Sequence, residues 1–209
     1  MKKITFYTNP YSRGKNVRWM LEECEAEYEV VPIQFGEEMK SEKYLSVNPM
    51  GKSPALEVDG KIITETAAIL TFLADMYPEK KLIPAADSIE RGEFYRWMFF
   101  AVNAEYAFMD KWFDVPSNEL RRKGIGYGDF DTTIKTLTDF LKGKKYAIGN
   151  SFTVLDLYLS GLLAWGMFRV EVIPKEGVLA DYMNQHITRE AFIKSKELDK
   201  ELAKEMGLE

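Results

Sequence analysis

The chain has 209 residues, a mass of 24.1 kDa and a net charge of −5. This acidity argues against a dedicated nucleic-acid-binding protein, because phosphate contacts need a basic surface. A single cysteine excludes an intrachain disulfide. One cysteine and one histidine are too few ligands for a metal site built from these two residue types. A single cysteine fits a reducing cytoplasm, where we expect the protein to be. No apolar run reaches the roughly 18 to 20 residues that cross a bilayer, so we expect no membrane contact.

The first part of the chain predicts two strands joined by a helix. Residues 4–7 are apolar and aromatic, as is typical of a strand, and the turn formers of residues 9–14 follow. Apolar side chains then recur at helical spacing, at Val17, Met20, Leu21 and Cys24. Residues 28–33 predict a second strand, parallel to the first because a helix separates them. We expect the Cys24 thiol at the end of this helix face to be buried.

Two dipeptides in the following segment suit the binding of a peptide. A cis bond between Ser53 and Pro54 would turn the Ser53 main chain outward, where an extended peptide can pair with it. Glu65 and Thr66 precede a helical pattern, and the free N–H groups of a helix start suit a carboxylate. From these residues alone, capping of the helix by Thr66 or Thr64 is favoured over ligand binding, and the two roles can coexist.

The patterns together predict an α/β domain followed by an all-α helical bundle. Residues 1–79 have the order βαβ then ββα, with a hairpin turned at residues 59–60. Residues 80–87 have the composition of a linker, and residues 88–209 form the helical domain. Helices are expected over residues 94–112, 130–141, 155–168, 178–185 and 189–206, the third opened by a capping box from Thr153 to Asp156.

Four motifs in this order resemble those of a known family. They are Tyr7, Ser12, Arg13, Gly14, Val17, Arg18 and Trp19 in the first turn and helix, then Asn48–Leu56, Thr64–Ile69 and Thr153–Asp156. Each motif is weak alone, but at this spacing the sequence resembles the cytosolic glutathione transferases over nearly its whole length. The resemblance implies a thioredoxin-like first domain, a helical second domain and a homodimer that packs across the helices from Thr66 and Glu90.

The resemblance also implies where the tripeptide glutathione binds. Pro54 is expected to be the cis proline of the family, and the Ser53 main chain would pair with the cysteinyl part of glutathione. Glu65 and Thr66 would hold the γ-glutamyl end, with the amino group near Glu65 and the carboxylate at the helix start. Lys52 would meet the glycyl carboxylate. Glutathione would serve as a co-substrate, and no other cofactor is expected.

The resemblance implies a catalytic hydroxyl in the turn after the first strand. A thiol with a pKa of about 8.5 is mostly protonated at neutral pH, so a hydroxyl that donates to sulfur favours the reactive thiolate. Ser12 is the best match for this role, with Tyr7 and Tyr11 as alternatives, and Arg13 adds positive potential. From the residues alone, capping of the following helix by Ser12 is favoured over a contact with sulfur. The turn contains no cysteine, which argues against thiol-reductase chemistry.

The implied reaction joins the glutathione thiolate to a hydrophobic electrophile. Candidate side chains for the wall of the second-substrate pocket are Tyr11, Tyr106, Met109, Trp112 and Trp165, although most of the aromatic stripe must be core. One alternative is a non-catalytic or regulatory binding protein of the same fold. Another is a glutathione-dependent peroxidase or isomerase, which would use the same thiolate.

Overall fold

The structure is a computed structural model that describes residues 2–208. The chain forms two compact units, the first within Met1–Lys80 and Arg189–Glu209 and the second Lys81–Thr188. The first unit contains one four-stranded sheet with helices, and the second is helical. The predicted fold class, an α/β domain followed by a helical one, is confirmed.

The sheet of the first unit has the strand order β2-β1-β3-β4. β1 and β2 are parallel, whereas β3 runs antiparallel to β1 and to β4. The strands and helices up to residue 76 are β1 (Ile4–Thr8), α1 (Gly14–Glu23), β2 (Glu29–Pro32), α2 (Glu42–Leu45), β3 (Ala55–Val58), β4 (Lys61–Thr64) and α3 (Thr66–Met76). This is the βαβ then ββα order that the sequence predicts.

The register of the sheet brings four connecting segments to one edge. Thr8 lies opposite Pro32, so the segments after β1 and β2 leave the sheet on the same side. Ala55, the first residue of β3, lies opposite both Tyr7 and Thr64, near the ends of the neighbouring strands. The segments that meet at this edge are therefore residues 9–14, 33–40, 53–54 and 65–66.

The last helix packs within the first unit, and we label it α9 (Glu190–Glu205). Its Asp199 Oδ1 lies 2.6 Å from Nε of Arg18 on α1, and both side chains are less than a tenth exposed. Two further ion pairs at the same distance are Glu22 with Lys194 and Glu23 with Arg189. Breaking a buried ion pair costs about 3–5 kcal/mol. The pair of Arg18 and Asp199 therefore holds α9 against α1. The sequence-based division instead puts residues 189–209 with the helical domain.

The second unit is built around a helix that is buried on most sides. Its helices are α4 (Ile89–Trp112), α5 (Glu119–Gly124), α6 (Phe130–Leu141), α7 (Val154–Phe168) and α8 (Val178–His186). Eleven of the 15 residues of α7 are buried, as its apolar sequence predicts. The capping box of Thr153 and Asp156 is present. α5 was not predicted, because it buries no residue and depends on a cap in which Asn118 accepts from the Arg121 N–H.

Within the described residues, no helix combines the length and the apolar character that spanning a bilayer requires.

Candidate functional site

A cleft of about 610 Å³ opens at the sheet edge where the connecting segments meet. Its walls come from the turn after β1, the loop after β2 and the segment before β3. The lining residues are Tyr11, Ser12, Arg13, Phe35, Gly36, Glu37, Met39, Lys40, Gly51, Lys52 and Ser53. The cleft lies wholly within the first unit. It brings together four of the residues expected to bind glutathione or to act on it, namely Ser12, Arg13, Lys52 and Ser53.

Asn9 holds the turn that forms one wall of the cleft. Its side chain is fully buried, and its Oδ1 accepts from the Tyr11 N–H at 3.0 Å. Its amide nitrogen donates to the Ile33 carbonyl at 2.9 Å and so ties this turn to the loop after β2. Sequence reasoning did not single out Asn9, although an Asn-Pro dipeptide is a recognisable turn signal.

Asn48 organises the opposite wall in the same way. Its Oδ1 accepts from the Met50 N–H at 3.1 Å, and its amide nitrogen donates to the Lys52 carbonyl at 2.8 Å. Gly51 completes this turn with a φ of +55°, and a Cβ atom there would lie 2.5 Å from the Met39 carbonyl oxygen. Glycine is therefore required at position 51. The Lys52 main chain is fixed by hydrogen bonds to its carbonyl, while the Lys52 side chain is exposed.

The Ser12 hydroxyl joins the two walls. Its Oγ lies 2.8 Å from the Asn9 carbonyl oxygen, accepts from the Gly14 N–H at 2.9 Å and lies 3.0 Å from Ser53 Oγ. A Cβ atom on Gly14 would lie 2.0 Å from Thr8 Oγ1, so only glycine allows the start of α1 to lie this close to Thr8. The hydroxyl thus serves the first N–H of α1, as a cap would, and also reaches the cleft.

The Ser53-Pro54 peptide bond is cis. Within residues 2–208, neither the N–H nor the carbonyl of Ser53 is hydrogen-bonded to another main-chain group. The Ser53 main chain is therefore not part of the sheet, and its pairing with an extended peptide stays a prediction.

Glu65 has a backbone conformation that is unusual for a residue with a side chain. Its φ of +68° and ψ of +116° lie outside the regions that side chains favour. Glu65 occupies the capping position of α3, yet no side-chain hydrogen bond caps this helix. The alternative in which Thr64 or Thr66 caps it is therefore not what the structure shows. Because Thr64 pairs with Ala55, Glu65 and Thr66 come at the same sheet edge as residues 53–54.

The structure does not bring Tyr7 to the cleft. Its hydroxyl donates to Glu57 Oε2 at 2.8 Å, and its ring packs in a cluster with Tyr44. Burial and the neighbouring Glu57 carboxylate raise the pKa of Tyr7. Tyr11 does line the cleft, with a largely exposed ring and its hydroxyl 3.4 Å from the Leu208 carbonyl oxygen. Of the two alternatives to Ser12, Tyr11 alone is therefore near the cleft.

Cationic groups outnumber anionic ones along the cleft. Arg13, Lys40 and Lys52 line it together with one acid, Glu37. The Lys40 ammonium donates to the two carbonyls of residues 50–51 at 3.0 and 3.1 Å, which holds its charge at the cleft wall. Sequence reasoning missed Lys40, because its polar surroundings resemble those of any solvated lysine. The cleft is thus suited to an anionic ligand.

Within residues 2–208, no three His, Cys, Asp or Glu side chains gather as a metal site would require.

Comparison with known proteins decides the family. A family model described as the N-terminal domain of glutathione S-transferase matches residues 2–75. Glutathione S-transferase 1 of Schizosaccharomyces pombe is 31% identical over 166 residues, covering 75% of this chain and 71% of that protein. The chain belongs to the glutathione S-transferase family.

Two further relatives agree with this assignment. Glutathione S-transferase GstA of Escherichia coli O157:H7 is 29% identical over 123 residues, and the match spans 58% of this chain and 61% of that relative's length. A sphingomonad glutathione S-transferase, solved in complex with glutathione, superposes with a TM-score of 0.76 and 25% identity. That match covers 94% of this chain and 98% of the other.

In this member of the glutathione S-transferase family, the residues expected to bind a second substrate belong to different units. Tyr11 lies in the first unit, whereas Tyr106, Met109, Trp112 and Trp165 lie in the second. Tyr106 and Trp112 are exposed on α4, and Met109 is half-buried. The Trp165 ring lies parallel to a phenylalanine ring of α4. Their role in substrate binding stays a prediction.

Proposed function

We propose that the cleft binds glutathione and that the protein joins its thiolate to a hydrophobic electrophile. Glutathione carries two carboxylates and one ammonium group, so it is a net anion that suits the excess of cations along the cleft. The sphingomonad relative was solved with glutathione, which supports the same ligand here. Lys52 is proposed to meet the glycyl carboxylate, and the Ser53 main chain to pair with the cysteinyl residue.

The observation that carries this proposal is the backbone of Glu65. A non-glycine residue in this conformation costs of order 1–3 kcal/mol, and such residues cluster at ligand-binding sites. Glu65 does not cap α3 with its side chain, so capping gives no reason for the residue. Binding of the γ-glutamyl ammonium by Glu65, with the adjacent carboxylate at the N–H groups of α3 and the Thr66 hydroxyl, supplies that reason.

The proposed chemistry depends on ionising the thiol. The hydroxyl pair of Ser12 and Ser53, with Arg13 nearby, favours the thiolate over the thiol. The thiol proton passes to solvent, and the thiolate attacks the electrophile. With a chlorinated aromatic substrate, the carbon–sulfur bond forms, the carbon–chlorine bond breaks, and chloride leaves with the bonding electron pair. No metal or redox partner takes part in this step.

A homodimer in a cytoplasmic setting completes the proposal. Tyr95, Phe99 and Tyr106 are exposed on α4, and their spacing places them on one face of the helix. Exposed apolar patches on one helix face are typical of protein–protein interfaces. The same surface on a second copy would cover them in a two-fold arrangement.

The test is turnover of glutathione with 1-chloro-2,4-dinitrobenzene, measured against the uncatalysed reaction. We expect a clear acceleration, and removal of both hydroxyls in Ser12→Ala with Ser53→Val should lower kcat far more than glutathione affinity. Glutathione binding without any acceleration would overturn the transferase activity and leave a binding protein. Absence of both would overturn the proposal entirely.

A further inference from the structure

The two serine hydroxyls at the cleft differ in how many partners they have. Ser12 Oγ has three, namely the Asn9 carbonyl, the Gly14 N–H and Ser53 Oγ. Ser53 Oγ, by contrast, has Ser12 Oγ as its one hydrogen-bond partner among residues 2–208. A hydroxyl donates one proton and accepts at two lone pairs, so Ser12 is saturated whereas Ser53 retains capacity.

Both possible proton arrangements leave Ser53 as the better donor toward the cleft. If Ser12 gives its proton to the Asn9 carbonyl at 2.8 Å, the Ser53 proton points to Ser12 or to a ligand. If Ser12 gives its proton to Ser53 Oγ, the Ser53 proton must point elsewhere. In the second case the two hydroxyls form a chain, and each bond strengthens the other. For Ser12 to donate to a ligand, it would have to withdraw its proton from the Asn9 carbonyl or from Ser53 Oγ, depending on the arrangement.

We infer that the Ser53 hydroxyl donates to the glutathione sulfur and that Ser12 is the positioning residue that orients it. This inference rests on the proposed function and refines it, because the sequence assigns a main-chain role to Ser53. The thiol proton leaves to solvent, and Ser53 keeps its own proton while it stabilises the thiolate. Ser53 is then a catalytic residue, whereas Ser12 acts through it.

Charged groups near the site are the same in every variant that tests this inference. Arg13, Lys40 and Lys52 contribute positive potential to the cleft, and Glu37 contributes negative potential. Threonine and valine have nearly the same shape, and they differ by a hydroxyl in place of a methyl group. Ser53→Thr and Ser53→Val therefore form a matched pair that isolates the hydroxyl, and the main chain that would pair with glutathione is retained in both.

The experiment is a pH titration of glutathione bound to the full-length protein, followed by the ultraviolet absorbance of the thiolate. Calorimetry first establishes that each variant binds glutathione. We expect the pKa of the bound thiol to lie below its free value in the wild type and in Ser53→Thr. In Ser53→Val it should rise by about one unit, a tenfold change in the ionisation constant. Ser12→Ala should shift it less than Ser53→Val does.

An unchanged thiol pKa in Ser53→Val, with or without a rise in Ser12→Ala, would overturn the inference while leaving the proposed function in place. A wild-type protein that binds no glutathione would overturn both. Ser53→Ala provides a second test if the valine variant does not fold, with the same expected rise and the same contrary result.

Discussion

Tyr182 donates its hydroxyl proton to Asp156 Oδ1 at 2.5 Å inside the second unit. The Asp156 carboxylate is fully buried, and it also accepts from the Ala147 N–H and from the N–H and hydroxyl of Thr153. Burial, followed by the charge of Asp156, raises the pKa of Tyr182, so this hydroxyl keeps its proton. One carboxylate thus fixes the start of α7 to the preceding loop and to α8.

The first prediction follows from this network. Asp156→Ala leaves several buried donors without an acceptor, and we expect a loss of about 3–5 kcal/mol in the free energy of unfolding. Tyr182→Phe removes one hydrogen bond to the carboxylate and should cost about 1.5–3 kcal/mol. Urea denaturation measures both. Equal stabilities for Asp156→Ala and the wild type would show that the network does not hold the unit together.

The second prediction concerns pH and Cys24. The thiol is buried at the end of α1, and burial, followed by the charge of Glu23, raises its pKa from 9.0 to about 12. Between pH 9.0 and about pH 12, the Cys24 thiol keeps its proton in the folded chain and releases it in the unfolded chain. Stability therefore falls as pH rises above about 9, at about 1.4 kcal/mol per pH unit. Below a pH of about 9, the contribution of the Cys24 thiol to the free energy of unfolding is present in full.

The Cys24→Ala variant is the matched control for this titration. We expect the stability difference between wild type and variant to be constant from pH 7 to about 8.5 and to change by about 1.4 kcal/mol by pH 10. A thiol reagent should label the native protein only as it unfolds. Rapid labelling of the native protein at neutral pH would contradict the buried position of the thiol.

The third prediction separates the binding role of Glu65 from its backbone conformation. Glu65→Ala removes the carboxylate, and we expect glutathione affinity to fall at least about tenfold, or roughly 1.4 kcal/mol. Glu65→Gly removes the carboxylate and also relieves the positive φ, so it should raise the free energy of unfolding by about 1 kcal/mol while binding still falls. Calorimetry and urea denaturation measure the two effects.

Lys81→Gly provides a control for Glu65→Gly, because Lys81 also has a positive φ, of +53°, and is exposed. It should gain stability without loss of glutathione binding. Full binding by Glu65→Ala would reject the assignment of Glu65 to the γ-glutamyl end.

The fourth prediction concerns the proposed dimer. Phe99 is 66% exposed on α4, and we expect Phe99→Asp to convert a species of twice 24.1 kDa into a monomer. Leu120→Asp is the matched control, because Leu120 is an exposed apolar residue on α5 and should leave the dimer intact. Analytical ultracentrifugation distinguishes these outcomes. A wild-type protein that sediments at 24.1 kDa would refute the dimer.

Local patterns predicted most of the fold. The apolar spacing from Val17 to Cys24 predicted α1, the turn at residues 59–60 predicted the hairpin, and the capping box from Thr153 predicted the start of α7. In each case the deciding interactions lie within a few residues of one another. The cis bond before Pro54 was expected from the family resemblance rather than from base rates for proline.

Contacts between distant residues could not be predicted in the same way. Arg18 and Asp199 are 181 positions apart, and nothing in either local pattern indicates that the last helix packs with the first unit. The contact between Ser12 and Ser53 spans 41 positions and depends on the sheet register. The hydrogen bond from the Tyr7 hydroxyl to Glu57 also depends on the sheet register. Such pairings follow from the assembled fold, and the periodicity of the sequence does not indicate them.

A crystal structure with glutathione tests the central claim most directly. We expect the tripeptide to extend from the cleft to the start of α3, with its cysteinyl main chain paired to Ser53 and its γ-glutamyl end at Glu65 and Thr66. Its sulfur should lie within hydrogen-bond distance of Ser53 Oγ. Glutathione bound elsewhere, or a cleft left empty at millimolar glutathione, would contradict the account.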